Sequence, residues 1–519
     1  MNNITRKLLA KRKRRIEHRL RKIQWADQPG PMLSGSNIHY EVADKTRAVG
    51  CGGVGAMHLL AQRIGLVEAI NRDLHLLKVH LPYHESDHVL NIAYNILAGG
   101  TCLEDIGQQR IQEAYLDGLG AKRIPGQSTA GDFCRRFTAP TITQLMETIN
   151  EVRLGVWKHQ PKSFFKQAII DADGTVAPTW GQCKEGMDIS YKGQWGYHPL
   201  LISLANTGEP LYLVNRSGNR PSHEGAGEWL DRAIGLCRRG GFKSVLLRGD
   251  TDFTQTAKLD GWDDAGVGFL FGIDAMPSLV AMANELPESA WEPLVRKPKY
   301  EVATQGRSRP QNVKERIVRE RQFENIRLTG EQVAEVGYRP TRCRKIYRLV
   351  VLRKNLTVEK GEQALFDDVR YFFYISNQND LWPDGLVGRA NGRCNQENLI
   401  EQLKNGVRAM EMPVDNLLSN WAYMVMASLA WTLKAWFALE LPQTGRWAEK
   451  YQQQKESLLK MEFKKFVNVL MRLPCQMVRT GRRIVYRLLS WNPWLEVLLR
   501  GVETLRERVA GVVYYPLRC

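Results

Sequence analysis

Ala168-Ile169-Ile170-Asp171-Ala172-Asp173-Gly174-Thr175 is the stretch on which the reading of this chain turns. An apolar, β-branched run that ends in acids and a glycine reads as a buried strand opening onto a site. Alternate side chains of a strand share a face, so Asp171 and Asp173 point the same way. Taken alone, the end of this run is explained by a turn-forming Asp-Gly. The design recurs, however, where Val245-Leu246-Leu247 runs into Arg248-Gly249-Asp250-Thr251-Asp252-Phe253. Two acid-tipped strands in one domain offer the hard oxygen ligands that Mg2+ takes.

Further strand-like runs lie at 200–205, 211–214, 269–273, 346–352 and 371–375, separated by Gly, Pro and Asn. Residues 276–344 are more polar and irregular. Before this β-rich part, residues 55–156 carry apolar positions at three- and four-residue intervals, the mark of helices. Helical periodicity resumes from Gln396 onward. The expected class is therefore α/β: a mixed sheet flanked by helices, with helical N- and C-terminal regions. Residues 6–22 hold ten Lys or Arg in seventeen positions, which reads as a basic arm, helical or disordered. The expected units are a basic arm at 1–45, a helical DNA-binding domain at 46–160, and a core in two parts, 161–275 and 346–442. An insertion at 276–345 separates those parts, and a basic helical region at 443–519 follows.

The third acid sits on a helix expected to open near Asn395. At 100° per residue, Glu397, Glu401, Lys404 and Arg408 share one narrow stripe, while Leu399, Ile400, Leu403, Val407 and Met410 form an apolar arc. A carboxylate followed by cations at seven and eleven residues could hold a metal and, beside it, a DNA phosphate. The same stripe also reads as a solvated face with ordinary ion pairs.

With these residues in view, the sequence resembles the DDE insertion-sequence transposases that carry a Y-x2-R-x3-E-x6-K signature, and among them the IS thirteen-eighty group. Arg393 to Glu397 has the R-x3-E spacing and Glu397 to Lys404 the E-x6-K spacing. Asp173 in Asp-Gly-Thr and Asp250 in Arg-Gly-Asp-Thr-Asp-Phe look like the family's first and second catalytic acids. The likeness runs over residues 50–489 and includes the stretches 191–199 and 479–483. The signature Tyr falls on Ala390, so its role is absent or supplied by Tyr371 or Tyr374.

The resemblance implies an RNase H-like core with an insertion domain between the second Asp and the Glu. It implies two Mg2+ ions, with Mn2+ as a substitute, held by Asp173, Asp250 and Glu397. Arg393, Lys404, Arg408 and Arg248 would contact DNA, and Asp171 and Asp252 are neighbouring acids that compete for the metal. The implied partner is double-stranded DNA, both element ends and target, and the implied assembly is a homodimer on paired ends. The implied activity is strand cleavage and transfer at terminal inverted repeats. The alternatives are a catalytically inactive DNA-binding protein of transposase descent, or a zinc metallopeptidase.

Composition agrees without deciding. Apolar residues make up 43% of the 519, enough for sizeable cores, and 73 Lys and Arg against 55 Asp and Glu give +18, which favours a polyanionic partner. Nine cysteines stand singly with no C-x-x-C pair, so a reducing cytoplasm is expected, here a bacterial, nucleoid-associated one. No secretory leader or membrane role is expected. The apolar run 421–439, interrupted by Ser428, Thr432 and Lys434, reads as a buried core helix.

Three patterns carry competing readings. His84-Glu85-Ser86-Asp87-His88 satisfies H-E-x-x-H, with Glu104 as the available third ligand; helix-capping and surface roles are the expected explanation. Gly50 to Gly55 satisfies G-x-G-x-x-G but lacks a strand before it, so a turn into the first helix is expected. Trp180, Trp195 and Trp262 could stack bases near the acids, although most tryptophans are core residues.

Overall fold

The acid-tipped run forms strand β1 (Ala168–Gly174) inside a nine-stranded mixed sheet, in a computed structural model of the chain. The structure describes residues 3–20, 37–295, 312–361, 363–443, 445–480 and 483–507. The other strands of the sheet are β2 (Leu200–Leu204), β3 (Glu209–Val214), β4 (Val245–Gly249) and β5 (Gly268–Ile273). A long meander completes it: β6 (Glu324–Tyr338), β7 (Tyr347–Lys360) and β8 (Gln363–Ser376), with the short piece Glu292–Pro293 at the edge. In space the order from that edge is β6, β7, β8, β5, β4, β1, β2, β3. β1 and β4 are parallel, β4 and β5 are parallel, and the remaining pairings are antiparallel.

Parallel strands need crossovers, and helices Ala226–Arg239 and Thr256–Asp264 supply them before β4 and β5. Covered on both faces, β4 and β5 are buried along their whole length, which is why β5 reads as an unbroken apolar run and β4 as one broken only by Arg248.

The meander departs from expectation. β7 and β8 are 14 residues each, twice or more the length of the apolar runs 346–352 and 371–375. Their outer halves mix polar and apolar residues and are held by cross-strand partners, such as Thr357 donating to Asp367 at 2.8 Å, so no regular apolar run reaches the strand ends. Tyr338 pairs with Tyr347 in register, so the expected boundary at 345 falls inside a hairpin. Much of the stretch read as irregular is strand β6 and helix Val313–Glu320.

Helices Val54–Arg63, Leu66–Asp73, Glu85–Leu97, Gln127–Cys134 and Ala139–Trp157 form the N-terminal helical part. Helix Leu417–Leu439 packs against this part and against β3, and its membrane-length apolar run is wholly buried. It is the central core helix, in which Lys434 donates to the Leu459 carbonyl at 2.9 Å with its Nζ 3.6 Å from the Trp431 ring centroid.

The C-terminal region corrects the expectation of a wholly helical unit. Strands Cys475–Thr480 and Arg483–Leu488 make a hairpin that pairs with Ala48–Val49. Arg479, Arg483 and Arg487 therefore lie on strands, and Arg482 lies outside the described residues. Added Cβ atoms on Gly52 and Gly53 would strike Cys475 and the Leu470 carbonyl. The glycine-rich run thus serves close packing of the start of helix Val54–Arg63 on this hairpin and on the turn before it. The basic arm is the helix Asn3–Leu20, with Leu9 buried and Arg12 donating to the Leu488 carbonyl at 2.6 Å.

Candidate active site

β1 and β4 lie side by side in parallel, so their acid tips emerge together at one end of the sheet. Helix Pro383–Asn391 leads into helix Cys394–Glu401, which carries Arg393 at its start and Glu397 in its first turn. One guanidinium then gathers all three acids. Arg393 Nη1 is 3.2 Å from Asp173 Oδ2 and 3.8 Å from Asp250 Oδ2, and Nη2 is 3.8 Å from Glu397 Oε1. Asp173 is almost enclosed, while 63% of the Glu397 side chain is exposed, so the group opens to solvent from the Glu397 side. Burial pushes the Asp173 carboxyl up to about 7; Arg393 opposes this, and Asp250 and Glu397 add to it. Burial also raises Asp250, against the pull of Arg393.

These elements all lie within residues 37–510, which match the sequence profile of the family described as Transposase DDE domain group 1. The chain belongs to that family. No curated protein matches it. Among solved structures, a piggyBac transposase synaptic complex with hairpin DNA, determined by cryo-EM, aligns with 90% of this chain and 86% of its own. The identity is 10% and the TM-score 0.36, a likeness too loose to carry an argument.

In this DDE-domain protein the residues behind the acids explain how the acids are held. Asp171 points to the same side as Asp173 but is buried and closed off by Arg248, which donates from Nε and Nη2 at 2.7 Å each. Arg248 also donates to the Arg389 carbonyl at 2.9 Å, and Gly392 leaves room for its guanidinium, since a Cβ there would sit 2.6 Å from Nη1. Arg248, expected to contact DNA, is 5% exposed and makes three hydrogen bonds inside the protein. Asp171 is likewise committed to an ion pair. Asp252 lies in the short turn after β4, its backbone N–H donating to Asp250 Oδ1 at 3.1 Å.

Gln396 was missed by sequence reasoning. It is buried, takes the Ser203 hydroxyl on Oε1 and donates to the Leu201 carbonyl at 3.3 Å. Leu201 and Ser203 are the β2 partners of Asp173 and Asp171, so Gln396 pins the Glu397 helix to the strand beside the acid-bearing one. Its position beside Glu397 within the R-x3-E spacing was the available signal.

The expected stripe of Glu397, Glu401, Lys404 and Arg408 does not continue as one α-helix. The helix ends at Glu401, a π-helical turn spans Gln402–Gly406, and Arg408 adopts φ +58°. Lys404 still returns toward the site, donating to the Val176 carbonyl at 2.7 Å, and burial depresses its ammonium. Arg408 instead pairs with Glu411 at 2.6 Å on the surface. The Tyr371 hydroxyl donates to Asn284 at 2.7 Å, and Tyr374 packs on the same apolar cluster as Ala390. Trp262 is a core residue that donates to Asp231 at 2.7 Å, whereas Trp180 and Trp195 are exposed.

The H-E-x-x-H motif does not form a zinc site of its own two histidines. His88 is buried, with its ring stacked on Phe133 at 4.3 Å, and burial lowers its pKa to about 4. Glu85 turns away to accept from the Leu76 and Leu77 N–H groups and from His80, each at 3.0 Å. His84 stands at the start of the helix with His80 stacked on it at 4.5 Å, and Glu104 lies in the separate turn Leu103–Asp105.

Proposed function

We propose that this protein is the transposase of an insertion sequence, cleaving and transferring DNA strands at the element's terminal inverted repeats with divalent ions. The observation that carries the reading is the convergence of Asp173, Asp250 and Glu397, from three separate elements, on one cationic group. Carboxylate oxygens are the donors that Mg2+ and Mn2+ accept, and a ring of acids already holding a cation has the right field. Asp173, Asp250 and Glu397 would hold the ions. Bound there, such ions supply the activated attacking oxygen and stabilise the leaving oxygen of an in-line displacement at phosphorus.

The chain's own groups do the positioning. Arg393, released from the acids, would hold a phosphate beside the scissile bond, and Lys404 a second one. Arg408, on the surface, would add a weaker contact. The strand order β3, β2, β1, β4, β5 with its parallel and antiparallel pattern supports an RNase H-like core, with the meander as the insertion. The helical region 46–160 would recognise double-stranded DNA, and a homodimer would pair two ends, in a bacterial cytoplasm on the nucleoid. The test is Mg2+-dependent cleavage of a duplex carrying the element end. Wild-type protein cuts it; Asp173→Ala, Asp250→Ala and Glu397→Ala each do not. Cleavage retained in all three variants removes the reading, and binding without cleavage by the wild type favours an inactive DNA-binding descendant.

A further inference from the structure

Helix Leu66–Asp73 runs out into a loop, 74–84, that turns back to start helix Glu85–Leu97. Where loop and helix meet, the ligand atoms of His80, His84 and Glu85 lie within 4.8 Å of one another. Two imidazole nitrogens and a carboxylate oxygen form a donor set that suits Zn2+, whereas Mg2+ takes oxygen alone. The elements that carry Asp173, Asp250 and Glu397 contribute nothing to this group.

Glu85 is its anchor. The side chain is 1% exposed, and Oε1 accepts from the Leu76 and Leu77 N–H groups at 3.0 Å each. That leaves Oε2 facing His80 Nε2 at 3.0 Å. Carboxylates that ligate metals are commonly oriented by outer hydrogen bonds of this kind. Asp87 accepts the His84 N–H at 2.8 Å, so the backbone carrying two of the three side chains is fixed as well. With Glu85 and Asp87 in its first turn, the helix start meets a cation with two acids as well as its own positive end. The His80 and His84 rings lie face to face, 4.5 Å between centroids and 19° from parallel. A hydrogen bond to Glu85 explains the place of one ring and leaves the other unexplained. Around a tetrahedral Zn2+ with ligands at about 2.0–2.2 Å, neighbouring donors stand roughly 3.3–3.6 Å apart. His80 and Glu85 are already that close, and both histidines are exposed, free to turn by the remaining ångström or so.

We propose that His80, His84 and Glu85 bind one Zn2+ ion, with water in the fourth position, and that the ion clips the loop to helix Glu85–Leu97. This is not the peptidase arrangement of the H-E-x-x-H motif: Glu85 serves as a ligand, and His88 stays stacked on Phe133 in the core. The helix packs on the core helix Leu417–Leu439, so an ion bound only by the folded chain steadies the N-terminal helical part.

The test uses tag-free full-length protein, stripped of metal with a chelator and desalted. The wild type and an Asp173→Asn with Asp250→Asn variant, whose acids no longer compete for metal, are titrated with Co2+. Both should develop the visible absorption of a four-coordinate ion, bleached by one equivalent of Zn2+. His80→Ala and His84→Ala should each weaken Zn2+ binding by more than roughly tenfold, the least that losing a supporting hydrogen bond costs a metal site, with circular dichroism unchanged. His80→Cys should restore binding and add a near-ultraviolet cobalt–thiolate band, which arises only if residue 80 touches the metal. In the Asp173→Asn with Asp250→Asn background, Zn2+ should raise the melting temperature, and adding His80→Ala should abolish that rise. No stoichiometric binding, binding unchanged in the histidine variants, or binding lost in the aspartate variant instead overturns the proposal. None of these readouts involves DNA, so this site and the cleavage reading stand or fall separately.

Discussion

Replacing Arg248 with Met separates two roles that the sequence leaves open for this residue. The Arg248 and Asp171 side chains are 6% and 2% exposed and joined by two 2.7 Å hydrogen bonds, so solvent screens the pair very little. Removing one partner of such a pair leaves a buried, uncompensated charge and costs about 3–5 kcal/mol. Burial already holds the Asp171 carboxyl above the usual range despite the guanidinium. Without Arg248 the folded pKa rises further above the unfolded value of about 3.9. The folded state then binds the extra proton, so stability falls as pH rises from that value through the folded pKa. The deficit of Arg248→Met should accordingly be smallest in acid and complete once pH passes the folded pKa. Urea unfolding at several pH values, followed by circular dichroism, reads this directly. The double variant Asp171→Leu with Arg248→Met should recover most of the loss, because apolar isosteres of a buried pair are often neutral. A phosphate-contacting Arg248 would behave differently: stability unchanged, DNA affinity reduced, and the salt slope smaller by about one. A stable Arg248→Met protein with that binding defect would refute the structural role argued for the pair.

Three other perturbations test the site and its support. Arg393→Ala strips the three acids of their counter-charge, so Mg2+ should raise the melting temperature more than it does in the wild type; an equal or smaller shift would show that the acids do not bind the ion in competition with Arg393. Gln396→Leu leaves the Ser203 hydroxyl and Leu201 carbonyl without their partner, which should cost about 1–3 kcal/mol and slow cleavage while the Mg2+-induced stabilisation persists; unchanged cleavage would remove its positioning role. Lys434 is buried in the core helix and its pKa is lowered to about 7, so the unfolded chain holds the extra proton between there and about 10.4. Stability should therefore rise with pH across that window by about 1.4 kcal/mol per unit from this group, and Lys434→Met should abolish that contribution to the slope in melts at matched ionic strength.

What the sequence determined by itself is what short-range pattern controls. Apolar runs ending in Asp173 and Asp250 specify buried strands with acids at their tips, because a strand covered on both faces is mostly apolar, and the charges inside these two, Asp171 and Arg248, pair with each other. The spacing of Arg393 and Glu397 places both at the start of one helix, where i and i+4 share a face. The buried run 421–439 is legible for the same reason.

Tertiary structure alone decided the partners. Asp171 and Asp173 share a face and a strand, yet one is locked to Arg248 and the other meets Arg393, because only the pairing of β1 with β4 and the path of the 383–401 helices set those neighbours. A π-helical turn at 402–406 broke the expected stripe, since helical phase read from sequence assumes an unbroken 3.6-residue period. The outer halves of β7 and β8, where polar residues interrupt the apolar ones, were hidden because cross-strand hydrogen bonds carry a strand beyond its buried part. The resemblance could name the three acids; bringing them within reach of one guanidinium required elements up to 224 residues apart along the chain to meet at one end of a sheet.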